Sequence, residues 1–152
     1  MNTCVFYISG HGFGHASREV EIINALQMTD GAPLRIVIRS AVAPDLLSRT
    51  VRGPYELRPG PSDTGIVQSS SVAHDDEASV REALAFYSTF DDRISGEAAA
   101  LRHDEVALVV GDIPPLAFEV AERLHVPGIA IGNFSWSWIY EGSRVFMRDA
   151  AA

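Results

Sequence analysis

CVFYISGHGFGHASR, residues 4–18, runs from an unbroken apolar segment through three alternating glycines into the first turn of an amphipathic pattern. Strand, glycine turn and helix in that order open a βαβ unit, and this decides the fold class. Glycine has no Cβ, so Gly10, Gly12 and Gly14 let the backbone turn sharply and let a ligand approach it closely. The helix that follows presents unpaired N–H groups and a positive dipole end, a seat for phosphate or another anion. Arg18, in the first turn, is placed to add a bidentate phosphate contact.

Outward from this stretch, short apolar runs alternate with helical patterns. Strands are predicted at 4–9, 34–39, 55–58, 106–111 and 128–131. CVFYIS, VALVVG and GIAI are apolar nearly throughout, as in strands covered by helices on both faces. LRIVIR, interrupted by arginines, belongs nearer an edge. Val20, Ile23 and Leu26, with Ile22 beside them, stripe a first helix running to about residue 28. Val80, Leu84, Tyr87, Ile94, Ala98 and Leu101 stripe a longer one over about 76–103, with a bend or break at Asp91. Leu116, Val120, Ala121 and Leu124 stripe a third, begun by Pro114 and Pro115 and stopped before Pro127. Residues 59–73, rich in Pro, Gly, Ser and Thr, read as a loop. The pattern predicts one α/β domain over 1–152, a Rossmann-like open parallel sheet with helices on both faces. The tail 148–152 carries no helix-stop signal, and the chain reads as cut off there.

Composition narrows the function classes. With 152 residues, 47% hydrophobic and 21% charged, the chain can bury a sizeable core without disulfide staples. Twenty acidic residues face twelve basic ones, a net charge of −8, and every basic residue is arginine. Without lysine there is no P-loop, no Schiff-base lysine and no lysine-rich nucleic-acid patch. The acidic balance also argues against DNA, RNA or anionic lipid as partners. Cys4 stands alone, so it reads as a small buried hydrophobe and neither a disulfide nor a thiolate cluster follows. The N-terminus lacks a basic n-region, and no apolar stretch approaches the ~18 residues of a membrane span. A cytoplasmic protein is expected.

The chemistry-bearing residues gather at strand ends. A dinucleotide fingerprint would need glycine where His15 stands and an acid near the end of the second strand, where Arg39 and Ser40 stand. His11 and His15 invite zinc, with Asp112 or His74 as third ligand, but Gly-Phe-Gly between them is no regular helix to stack both rings. The plainer reading of His11 is a hydrogen bond within the loop. Asp112 follows VALVVG, at the carboxyl end of an inner strand where open sheets bind ligands. With the first and fourth strands flanking one crevice, Asp112 reaches the His15 ring and fixes its tautomer, a general base for a hydroxyl group. The competing reading has Asp112 capping the helix begun at Pro114. GNFSWSWIY (132–140) places four aromatics after the fifth strand, either a stacking wall or, for Trp138 and Tyr140, core packing. Asn133 and Ser135 supply hydrogen-bonding groups there, and Ser135 is a candidate helix cap. Asp75, Asp76 and Glu77 read as favourable charge at a helix start.

In this order YISGHGFGHASR, DTGIVQ (63–68), GDIPPLA (111–117) and GNFSWSWIY resemble the N-terminal half of GT-B-type glycosyltransferases. Within them the chain resembles the group related to the glycosyltransferase-like region of plant L-arabinokinases. It is more distantly similar to the peptidoglycan N-acetylglucosaminyltransferase and to macrolide and plant secondary-metabolite glycosyltransferases. The resemblance spans about residues 4–140. It implies two Rossmann-like domains facing a cleft, the N-terminal one taking the acceptor. A C-terminal one missing from this chain would take most of the nucleotide-sugar donor. By resemblance His15 contacts the acceptor or serves as base, Asp112 orients it, and Gly12 and Gly14 lie near the donor diphosphate.

The expected reaction is therefore transfer of a sugar from a nucleotide sugar to a small-molecule or glycan hydroxyl. No metal and no cofactor besides the donor is expected. His15 and Asp112 are the catalytic candidates, and Gly10, His11, Gly12, Phe13, Gly14, Arg18, Asn133, Ser135 and Trp136 the substrate-binding ones. Ser137 departs from the NFSWDW expected of the family. The alternative is a non-catalytic sugar- or nucleotide-binding module, such as a regulatory region fused to a sugar kinase.

Overall fold

In the computed structural model, which describes residues 1–31, 33–70 and 72–149, the N-terminal apolar run forms β1 (Thr3–Ile8), buried at every position. Side chains alternate along a strand, so β1 feeds two cores. Cys4, Phe6 and Ile8 face α1 (Phe13–Met28), packing with Ala16, Val20 and Ile23, and with Leu47 of α2 (Pro44–Thr50). Val5 and Tyr7 face the other layer. There they meet Ile94 and Leu101 of α4 (Phe90–Leu101) and Leu116, Ala117 and Val120 of α5 (Pro115–Leu124). Helices thus cover both faces, as the periodicity predicts.

The other strands of the main sheet are β2 (Arg35–Ser40), β3 (Glu56–Pro59), β6 (Val106–Gly111) and β7 (Gly128–Ala130). They join β1 in the order β3-β2-β1-β6-β7, with every pair parallel. The chain winds from β1 out to β3 and then returns to the far side of β1 for β6. Strand order reverses between β1 and β6, and the crevice above that point is where open α/β sheets take ligands.

Several elements differ from the sequence reading. The first helix begins at Phe13, directly on the glycine loop, with Gly12 as its N-cap at φ 84°. The long helix over 76–103 is two: α3 (Asp76–Tyr87) and α4, broken at Ser88 and Thr89. Asp91 stands inside the first turn of α4, where an acid complements the helix dipole instead of interrupting the helix. The loop at 59–73 contains β4 (Gln68–Ser70), which pairs antiparallel with β5 (Ala73–His74). LRIVIR does lie nearer an edge than β1, one strand in from β3. GIAI, expected to be covered on both faces, is the other edge: all of β7 is exposed, Ile129 by 47%. Two short helices, α6 (Trp136–Glu141) and α7 (Arg144–Asp149), follow. The expectation for 150–152 lies outside the described residues.

At the end of β1, the Ile8 carbonyl accepts hydrogen bonds from the hydroxyls of Ser40 (2.8 Å) and Ser62 (3.3 Å). The glycine loop leaves the sheet from this doubly held point.

Candidate functional site

Because β1 and β6 are neighbours, the loops leaving them converge. His15, in the first turn of α1, meets Asp112, the residue after β6: His15 Nδ1 and Asp112 Oδ2 are in short contact. The Asp112 side chain is fully enclosed, and that of His15 is 13% exposed. The ring therefore turns Nδ1 inward and leaves Nε2 as its remaining nitrogen. Asp112 does not cap the following helix, whose N-cap is Pro114 with no side-chain hydrogen bond. Arg18 is not aimed at the loop mouth either. Its Nη2 contacts Asp112 Oδ1 and donates to the Ile131 carbonyl at 3.4 Å, so it sits behind the imidazole, not across from a ligand.

A second polar group forms beside it. Asp63, buried in the loop before β4, accepts the Trp136 indole N–H at 2.7 Å and lies 3.9 Å from His11 Nε2. Gly65 holds φ at +61°, and a Cβ there would collide with the His11 imidazole. Tyr140 donates to the Gly65 carbonyl at 3.2 Å and stacks on Phe146 with centroids 4.1 Å apart. The 63–65 segment is thus pressed flat against His11.

His11 and His15 share no carboxylate, and His74 pairs with Asp76 at 3.2 Å. Among the described residues no three His, Cys, Asp or Glu side chains gather as a metal site. Arg39, which stands where a dinucleotide fingerprint would need an acid, is held by Glu97, its Nε donating at 2.7 Å.

Between the two groups opens a cavity of about 620 Å³, within the usual range for small-ligand sites. Gly10, His11, Gly12, His15, Gln68, Glu82, Phe134 and Trp136 line it, with Ile66, Val67 and Ile139. A neighbouring lobe of about 400 Å³ shares Gly10, His11 and Glu82 and reaches Thr64 and Arg93. At Gly12 and Gly14 an added Cβ would meet open space, so a ligand can come directly onto the backbone. Gly12 provides no side-chain cap and the first turn of α1 holds no acid, which leaves its amides free for an anion.

Of the predicted binding residues, Gly10, His11, Gly12 and Trp136 line the cavity. Phe13 is 75% exposed and points away from the core. Asn133 is exposed, and the Ser135 hydroxyl caps α6 by accepting from the Trp138 amide at 3.2 Å. Ser137 is exposed and donates to Glu141 at 3.3 Å. Trp138 is exposed and outside the core, whereas Tyr140 is packed, so the core reading fits only one of the pair.

Three acids at the site were not among the sequence candidates: Asp63, Glu82 and Glu19. Asp63 carries a signal only through the DTGIVQ motif. Glu19 carries a clear one, because it falls on the stripe that also holds Ala16, Val20 and Ile23. It is fully buried, 3.6 Å from Arg18 Nε, and neither oxygen has a hydrogen-bond partner among the described residues. Desolvation, and then the Asp112 charge, push its carboxyl up to about 7 against the pull of Arg18.

The architecture is a GT-B-like, doubly wound α/β fold with its cavity at the switch point. No family model matches the chain. Its sequence is similar to L-arabinokinase from Arabidopsis thaliana, 29% identical over 138 residues that cover 89% of this chain and 13% of that protein. Among solved structures, it is similar to a UGT transferase from Siraitia grosvenorii in complex with UDP. That match has a TM-score of 0.54 and 18% identity, over 86% of this chain and 27% of the other. It is also similar to the UGT2 of Phytolacca americana complexed with UDP-2-fluoro-glucose and pterostilbene (TM-score 0.53, 14% identity, 86% of this chain and 30% of that one). A hydrogenase C-terminal domain from Pyrococcus furiosus matches at TM-score 0.50 and 14% identity, over 86% of this chain and 90% of that one. These likenesses define the fold, and a fold shared with a hydrogenase domain does not by itself choose a reaction. No helix among the described residues is long and apolar enough to cross a membrane.

Proposed function

We propose that this domain is the acceptor-side half of a cytoplasmic glycosyltransferase, moving a sugar from a nucleotide-sugar donor to an acceptor hydroxyl. The observation that carries this reading is the His15 imidazole on the cavity wall, backed by an enclosed Asp112. His15 Nε2 takes the acceptor proton as its oxygen attacks the anomeric carbon. The bond from that carbon to the nucleoside diphosphate breaks, and the diphosphate leaves with the electron pair. Asp112 stabilises the imidazolium, and the uncapped amides of α1 face the departing charge. Arg18 contributes by holding Asp112 in place. The transfer needs no metal or cofactor besides the donor, and a second Rossmann-like domain completes the donor site.

A binding-module reading is favoured by one observation: the arabinokinase match covers 89% of this chain but only 13% of that longer protein. In that reading the same cavity senses a sugar or nucleotide without turning it over.

Calorimetric titration of UDP, UDP-sugars and free sugars, followed by a transfer assay on the intact protein, separates the two. His15→Ala should lower turnover by about 10²–10⁴-fold with the thermal midpoint unchanged. A near-normal rate removes the base assignment. Tight nucleotide-sugar binding with no transfer supports the module.

A further inference from the structure

Helix α1 carries a carboxyl group where its spacing calls for an apolar side chain. Glu19 lies one turn beyond His15, wholly enclosed, and neither of its oxygens has a hydrogen-bond partner among the described residues. A buried acid in that state costs stability, and a purely structural position would be filled more cheaply by leucine or glutamine. The charged groups that face Glu19 are Arg18 and His15 from its own helix and Asp112 from the end of β6. From β1 the same core receives only the Cys4 thiol, which burial pushes up to about 12 and so keeps uncharged. From α2 it receives Leu47, while the charged Asp45 and Arg49 of that helix are exposed. One guanidinium therefore stands between two carboxyl groups, on Asp112 through Nη2 and 3.6 Å from Glu19 through Nε.

We propose that Glu19 is a positioning residue for His15: it competes with Asp112 for the Arg18 guanidinium, and its proton sets how much negative charge Asp112 keeps for the imidazole. This rests on the acid–base reading of His15 given above. With the proton on Glu19, Arg18 neutralises Asp112 alone and the hold on the ring weakens. With the proton lost to solvent, Arg18 is divided between two carboxylates and Asp112 grips the ring more firmly. Because burial brings the Glu19 carboxyl to about 7, the exchange falls in the neutral range.

The first test needs no substrate. In the intact protein, the His15 ring resonance, identified by its loss in His15→Ala, should show a separate inflection near the Glu19 midpoint. Glu19→Gln should abolish that inflection. In the transfer assay, Glu19→Gln should be about 3–10-fold slower than wild type near pH 8 and within about twofold near pH 6, with Glu19→Asp restoring part of the pH dependence. An unchanged His15 inflection in Glu19→Gln, or one uniform loss of rate across pH, overturns the proposal. Should Glu19→Gln fail to fold, the wild-type infrared spectrum still decides. It should lose one protonated-carboxyl band through neutrality, and a carboxyl already ionised in mild acid overturns the idea. If the inflection is present but no transfer occurs with any donor, the glycosyltransferase reading fails while the Glu19 coupling stands.

Discussion

The two ends of the sheet hold nearly the same charges in opposite states. At the amino end, Arg35 and Arg58 face Glu56 and Asp104. Arg35 reaches Asp104 at 2.7 Å and also contacts Glu56, while Arg58 reaches Glu56 at 2.7 Å and Asp104 at 2.8 Å. Each cation bridges both anions, and the circuit is closed. At the carboxyl end, His15 and Arg18 face Asp112 and Glu19, yet Glu19 has no hydrogen-bond partner among the described residues. Charge states diverge accordingly. Hydrogen bonds from Arg58 hold Asp104 and Glu56 below the usual carboxylate range, whereas burial lifts Glu19 above it. A saturated cluster keeps its charge and ties strands together. An unsaturated one beneath a cavity can exchange a proton.

The sharpest way to break this contrast is to neutralise one acid at each end. Asp112→Asn should lower transfer turnover about 10²–10³-fold, because an amide cannot stabilise the imidazolium. Asp104→Asn should leave turnover within about twofold, and comparable losses in steady-state assays at both ends would erase the distinction. Next in size, Gly65→Ala forces a side chain into left-handed backbone and against the His11 ring. It should cost about 1–3 kcal/mol in urea unfolding and weaken ligand binding in calorimetry.

The pH dependence of stability should run in opposite directions at the two ends. Glu19 is raised from 4.5 to about 7 in the fold, so its stabilising contribution is complete below about 4.5 and lost as pH rises through about 7. The loss should amount to about 1–3 kcal/mol, and Glu19→Gln should flatten it in unfolding curves taken across pH. Asp104 and Glu56 are lowered, so their contribution is present above their unfolded values of 3.8 and 4.5 and lost as pH falls. The smallest effect belongs to Arg58→Ala, expected to cost no more than about 1 kcal/mol and to shrink further in high salt.

The sheet was legible because β1 and β6, its two central strands, are continuous apolar runs, and the meeting of His15 with Asp112 followed from neighbouring strand ends. Short-range features also read correctly. Asp75 accepts from the Ala78 amide at 2.9 Å to start α3, and Ser135 caps α6. Helix α2 was missed because only Leu46 and Leu47 give it an apolar signature, and Leu47 alone is fully buried. The exposure of β7 was missed because an apolar run says what a strand can bury, not what is there to cover it. Asp63 meets Trp136 across 73 residues, a pairing that no local pattern encodes. Glu19 is different, because helical spacing alone places its carboxyl on the buried stripe of α1. Arg18 lies in the second turn of α1, not the first, because the helix begins at Phe13, and sequence position does not say which anion its guanidinium finds first.

The Ile8 carbonyl, gripped by Ser40 and Ser62, has a thermodynamic consequence for whatever enters the cavity. The glycine loop hangs from a point already fastened to β2 and to the segment preceding Asp63, so little backbone freedom near its root remains for a ligand to freeze. Association at this loop should carry a small ordering penalty, with more of each contact retained as affinity.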